Sequence, residues 1–146
     1  MDLEIFEGTI SDWLAPLKPY QRNSIIELLK DHDEVETAKI WVSSHGPENT
    51  VPFGGIPNTK PFWDNLKLEF NKFICDDITY KKEKESLKSE SNIPKELLIS
   101  AISAAIGATL GFTATLLAPA IALLLFSVTK ITKNAYCNTY YKKETE

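Results

Sequence analysis

The sequence predicts a mainly α protein in which a small helical cytoplasmic head is followed by a C-terminal transmembrane helical hairpin. Three observations lead there. Thirty-three consecutive residues, Leu97 to Thr129, carry no charge, well beyond the roughly 18 that mark a membrane-spanning candidate. Pro94, just ahead of that run, and Pro119, within it, are placed to open two helices of near 20 residues each, because proline suits the first turn of a helix and not its interior. Upstream, Phe62, Trp63, Leu66, Phe70, Phe73 and Ile74 recur at helical spacing.

The averages hide this division. Of the 146 residues, 43% are hydrophobic and 25% charged, with a net charge of −4, values that suit a soluble protein. Charge is distributed unevenly along the chain, however. Residues 1–76 hold thirteen acidic and seven basic side chains, residues 77–96 balance, and the remainder is slightly basic. The expected units are an acidic cytoplasmic head over 1–76, a charged connector over 77–93, the hairpin over 94–137 and a cytoplasmic tail over 138–146.

Within the head, Ser11 and Asp12 are expected to cap a short turn bearing Trp13 and Leu14, and Pro19 to open a helix through about Asp31. Asp33 with Glu36 has the spacing of a capping box, starting a helix with Val35, Ala38, Trp41 and Val42 on one side. Ala38 to Val42 also suits a short strand, since alternation and helical spacing overlap over so few residues. Residues 44–61, with Gly46, Pro47, Gly54, Gly55, Pro57 and Pro61, form a loop long enough to be functional, and Val51, Phe53, Gly54, Gly55 and Ile56 are its candidate regulatory residues. The helix from Pro61 to about Cys75 uses its aromatic stripe chiefly for the core. The Lys/Glu-rich stretch 77–92 is a solvated helix or tether whose lysines can meet anionic lipid head groups.

One helix of 33 residues would run about 50 Å, against a hydrocarbon core of ~30 Å, so two shorter helices fit better. The first is expected from Pro94 to about Thr113 and the second from Pro119, in its first turn, to about Cys137. Lys95 flanks one end and Lys130, Lys133, Lys142 and Lys143 the other, so both ends should lie in the cytoplasm, with Tyr136, Tyr140 and Tyr141 as an interfacial anchor. Ser100, Ser103, Ala104, Gly107, Ala108 and Gly111 are the candidate pore-lining or helix-packing residues, because small side chains let helices approach closely and hydroxyls suit a water-filled lumen. Alternatively, the hairpin is the buried centre of a cytoplasmic oligomer.

Catalytic patterns are missing. His32 and His45 fall in no metal-ligand or nucleophile–base spacing, and Gly54-Gly55 lacks the rest of any phosphate-binding signature. No enzyme activity, metal or cofactor is expected, and the acidic head argues against binding duplex nucleic acid. Met1, Asp2, Leu3 and Glu4 do not resemble the basic start of a secretory signal. Cys75 and Cys137, without CxxC spacing, are expected as reduced, idle thiols in a cytoplasmic setting.

In layout, the chain resembles the small membrane effectors of bacterial antiphage (abortive-infection) systems, the Hailong transmembrane effectors in particular. The resemblance rests on the short acidic head, the Phe53-Gly54-Gly55 loop, the charged connector after Phe73-Ile74-Cys75 and the apolar unit ending Asn134-Ala135-Tyr136-Cys137. It implies a homo-oligomeric ion channel in the bacterial inner membrane, controlled through its head by a nucleotide or oligonucleotide from a partner nucleotidyltransferase, whose opening depolarises the cell and arrests growth. It transfers no ligand-binding residue. The rival function is a membrane-anchored adaptor whose head binds a partner protein.

Overall fold

The computed structural model describes residues 8–45, 60–76, 78–88, 93–131 and 133–140. They form eight helices and, among the described residues, no strand: α1 Ile10–Leu14, α2 Pro19–Leu29, α3 Glu34–His45, α4 Lys60–Cys75, α5 Lys81–Lys88, α6 Lys95–Leu110, α7 Ala114–Lys130 and α8 Lys133–Tyr140. The mainly α class holds, and Ala38 to Val42 are helical, not extended.

Capping chemistry sets most boundaries. α1 is capped by Thr9 and not by Ser11 or Asp12. The Thr9 hydroxyl accepts from the Asp12 N–H at 3.2 Å, and the Asp12 carboxylate accepts from the Thr9 N–H at 2.9 Å, a reciprocal box. The bond from the Thr9 N–H is the chief cause that holds the Asp12 carboxyl below the ordinary carboxylate range. α2 opens at Pro19 as expected, and Asp33 accepts from the Glu36 N–H at 2.8 Å at the start of α3. The stretch expected to be wholly solvated departs from that expectation at Lys84, which is buried. Its ammonium donates to the carbonyls of Lys72 and Asp76 at the end of α4 and stands 5.7 Å from the Phe73 ring centre, so α5 closes the C-terminus of α4.

The apolar run breaks where glycine permits. α6 ends at Leu110 rather than Thr113, because Gly111 takes the left-handed conformation (φ 73°) and the next N–H, that of Phe112, returns to Gly107 O at 2.8 Å. α7 begins at Ala114, so Pro119 lies inside the helix and not in its first turn. It stops at Lys130, where Ile131 is extended, and Lys133 to Cys137 belong to the separate α8. The chain turns by 120° between α6 and α7.

The core is built around α7. Leu117, every residue from Pro119 to Leu125, and Val128 are buried. Seven consecutive buried positions at 100° steps leave no side of the helix facing water. α3 and α6 cover most of it, with α1, α2 and α8 completing the wall. One cluster joins Trp13, Ile25, Trp41, Leu66 and Phe70 of the head to Ile102, Ile106, Leu117 and Leu123 of the hairpin. The boundaries expected at 76 and 94 therefore do not divide the core.

A second correction concerns the cysteines. Cys75, the last residue of α4, and Cys137 in α8 form a disulfide across 62 residues, so neither is a free thiol. Spacing along the chain could not show it, because only the fold brings the end of α4 against the middle of α8.

Candidate functional site

The candidate site is the apolar pair α6–α7 and the groups by which the head grips it. Pro119 has no N–H to offer the carbonyl of Thr115, four residues earlier, so that acceptor must find another donor. Gln21 on α2 provides one: its Nε2 donates to Thr115 O at 3.0 Å, while its side chain is almost wholly buried. One residue on, the Trp41 indole N–H donates to Leu116 O at 2.7 Å. Two head side chains thus hold adjacent main-chain carbonyls in the opening turns of α7. A cavity of about 180 Å³ adjoins the first, lined among others by Lys18, Gln21, Ser100, Ser103 and Thr115.

The hairpin turn is held by aromatic groups. Phe112 meets Phe62 of α4 edge-on, with ring centres 5.3 Å apart. The Tyr80 hydroxyl donates to Glu69 at 2.6 Å and lies 2.9 Å from Thr109 Oγ1 on α6. Burial first, and then the Glu69 carboxylate, push that phenol well above its ordinary range, so it stays protonated and remains a donor.

At the far end, Lys130 pairs with Glu34 at 3.1 Å, an exposed bridge of small energetic value. α8 is held more firmly. Tyr136 is buried, donates its hydroxyl to Asn71 Oδ1 at 2.5 Å and meets the Phe70 ring edge-on at 6.2 Å, and the adjoining Cys137 is bonded to Cys75.

The six small residues expected to share one role divide between two faces. Ser103 and Gly107 turn inward, and a Cβ added at Gly107 would stand 2.5 Å from the Phe112 carbonyl oxygen, so the close approach is real. Ser103 is fully buried with no hydrogen-bond partner for its hydroxyl. Ser100, Ala104 and Ala108 face outward, and Gly111 is the exposed left-handed cap. The candidate loop residues Val51, Phe53, Gly54, Gly55 and Ile56 lie outside the described residues. Gln21, Trp41 and the cystine were missed by sequence reasoning. Pro119 signals that some donor is needed for Thr115 O, but nothing local says which.

Among the described residues no group of three or more His, Cys, Asp or Glu side chains is placed to hold a metal ion. Among the same residues no single helix is long and apolar enough to cross a membrane, although α6 and α7 together meet that test as a bent pair. At 16 and 17 residues, each reaches about 24–26 Å. No protein family, curated protein or solved structure matches the chain.

Proposed function

We propose that this protein acts on membranes: it stores an apolar helical hairpin inside a helical bundle, delivers it to a lipid bilayer, and assembles there with further copies into an ion-conducting pore governed by the head. The observation that carries this is the uncharged run from Leu97 to Thr129, which forms nearly all of α6 and of α7. A helix apolar on every side belongs either in a protein core or in a bilayer, and α7 meets that description. The outward face of α6 adds support. Ser100, Ala104 and Ala108 present small, uncharged side chains to water, a composition suited to close packing between helices in lipid. The ligand of the head, following the likeness to antiphage effectors, is a nucleotide or oligonucleotide, and the consequence of opening is depolarisation.

The second reading is a protein whose bundle never opens, with α7 simply its core helix. The burial of α7 on all sides favours it.

Ala104→Leu and Ala108→Leu separate the two. Both positions are exposed in the bundle, so thermal stability should be unchanged by either substitution. In potassium-loaded vesicles carrying a potential-sensitive dye, the wild type should conduct and the leucine variants should lose conduction, because their helices can no longer pack closely. Vesicles that stay sealed with the wild type, with and without added oligonucleotide, would overturn the pore and leave the closed bundle.

A further inference from the structure

We propose that the Cys75–Cys137 disulfide is a redox-sensitive clasp that keeps α8 on the bundle and so restrains release of the hairpin. This rests on the membrane-acting function proposed above.

The argument starts from what holds α8. It has eight residues, too few for a stable helix in isolation, so its position depends on tertiary contacts. Those contacts run chiefly to α4, with fewer to α7: the Tyr136 hydroxyl on Asn71, the Tyr136 ring on Phe70, and the disulfide one residue along. Tyr136 is a side chain suited to a membrane–water interface, where an aromatic body is buried and its hydroxyl stays wet. In the bundle it is turned inward and 5% exposed. It cannot leave Phe70 for a lipid surface while its neighbour is covalently fixed to the end of α4. The covalent loop contains α5, α6, α7 and most of α8, so the whole apolar hairpin lies between the two sulfurs along the chain. A cross-link over so many residues disfavours any state in which α4 and α8 part. The remaining ties at this end are weaker, since the Lys130–Glu34 bridge is exposed.

Both cysteines are partly exposed, so a soluble dithiol can reach them. One of its thiolates attacks a cystine sulfur, the S–S bond breaks, and a mixed disulfide and one cysteine thiolate result. The second thiol of the reductant then displaces the other cysteine. Two electrons and two protons pass to the protein, leaving Cys75 and Cys137 as thiols and the reductant as a cyclic disulfide.

The test uses the full chain, potassium-loaded vesicles of phosphatidylethanolamine and phosphatidylglycerol carrying a potential-sensitive dye, and dithiothreitol. Reduction should speed potassium release about tenfold or more, and re-oxidation with diamide before addition to vesicles should restore the slow rate. Circular dichroism should show the same helical content in both forms. Cys137→Ser should match the reduced wild type without reductant. If that variant fails to fold, the reversible wild-type comparison still decides. Equal release by oxidised and reduced protein would overturn the clasp while leaving the membrane function standing. Failure of both forms to bind vesicles in flotation or to release potassium would overturn the function, and the clasp with it.

Discussion

The grip of Gln21 on the α7 backbone can be measured by a double-mutant cycle, because Pro119 creates the need that Gln21 meets. Gln21→Leu keeps most of the side-chain volume and removes the donor at 3.0 Å from Thr115 O. A net hydrogen bond contributes about 0.5–1.5 kcal/mol, and a carbonyl left buried without a partner costs about 1–3 kcal/mol. Thr115 is exposed and a cavity adjoins Gln21, so water can reach the freed carbonyl and the lower figure applies, about 1 kcal/mol. In a chain of this size that corresponds to a melting temperature lower by about 2–4 °C. Pro119→Ala supplies the missing N–H within α7 itself. In that background Gln21→Leu should cost less than about 0.5 kcal/mol, a coupling that the cycle isolates whatever Pro119→Ala does alone. Urea unfolding of the oxidised protein, followed by circular dichroism and by the fluorescence of Trp13, Trp41 and Trp63, gives the four stabilities. Equal costs of Gln21→Leu in the two backgrounds would refute the argument.

Leu123→Ala removes a fully buried side chain from α7 and should cost about 3–5 kcal/mol, or roughly 6–20 °C in melting temperature; a loss near zero would show that α7 is not the core in solution. Gly107→Ala forces its new methyl against the Phe112 carbonyl, so the hairpin turn must shift at a cost of about 1–3 kcal/mol, whereas Ala108→Leu on the outer face should stay within about 0.5 kcal/mol; reversal of that order in thermal melts would contradict the assigned faces. Asp12→Asn tests the cap of α1 through pH. The Asp12 carboxyl is lowered in the folded state, so its contribution is present above the unfolded value of about 4 and is lost as pH falls through the folded one. The stability gap between wild type and Asp12→Asn should therefore narrow on acidification below about pH 4, and a gap constant with pH would exclude the linkage.

Local chemistry made the helices legible. Pro19, the Asp33–Glu36 pair and the stripe from Trp63 to Ile74 each announce a helix through signals that act within four residues, and all three appear as expected. The hairpin was legible in kind but not in bounds. Proline marks a preferred helix start, yet the head supplies a donor for Thr115 O, and with that donor α7 can carry Pro119 in its interior. The identity of the solvent around α7 was the hardest to read. Lipid tails and a packed core are equally apolar, so an uncharged run does not distinguish them, and nothing in it foretells that α1 and α3 pack against α7. The same holds for Cys75 and Cys137, whose pairing depends on the end of α4 meeting the middle of α8. Among the candidate site residues, a four-residue spacing places Ser103 and Gly107 on one face, but it could not say which of the neighbouring stripes faced inward.

Pro119 also sets a condition on the proposed membrane state. Within the hydrocarbon region an unpaired backbone carbonyl costs several kcal/mol, and a proline in a spanning helix is tolerated only where a neighbouring group or water replaces the lost bond. Once α7 leaves α2, Thr115 O loses Gln21, and no N–H within α7 lies in the correct position to replace it. An isolated hairpin in lipid would therefore carry this defect near the start of α7, four residues after Gly111. Assembly removes it in one of two ways: a donor from a second copy, or water in a lumen that Thr115 faces. Either requires more than one chain or a wet passage, so the residue that makes the head necessary in the bundle also makes a monomeric lipid-buried hairpin unfavourable. Thr115→Val tests the choice. Its backbone carbonyl remains and its hydroxyl is lost, so conduction should fall if Thr115 lines water and should persist if the carbonyl meets a neighbouring helix.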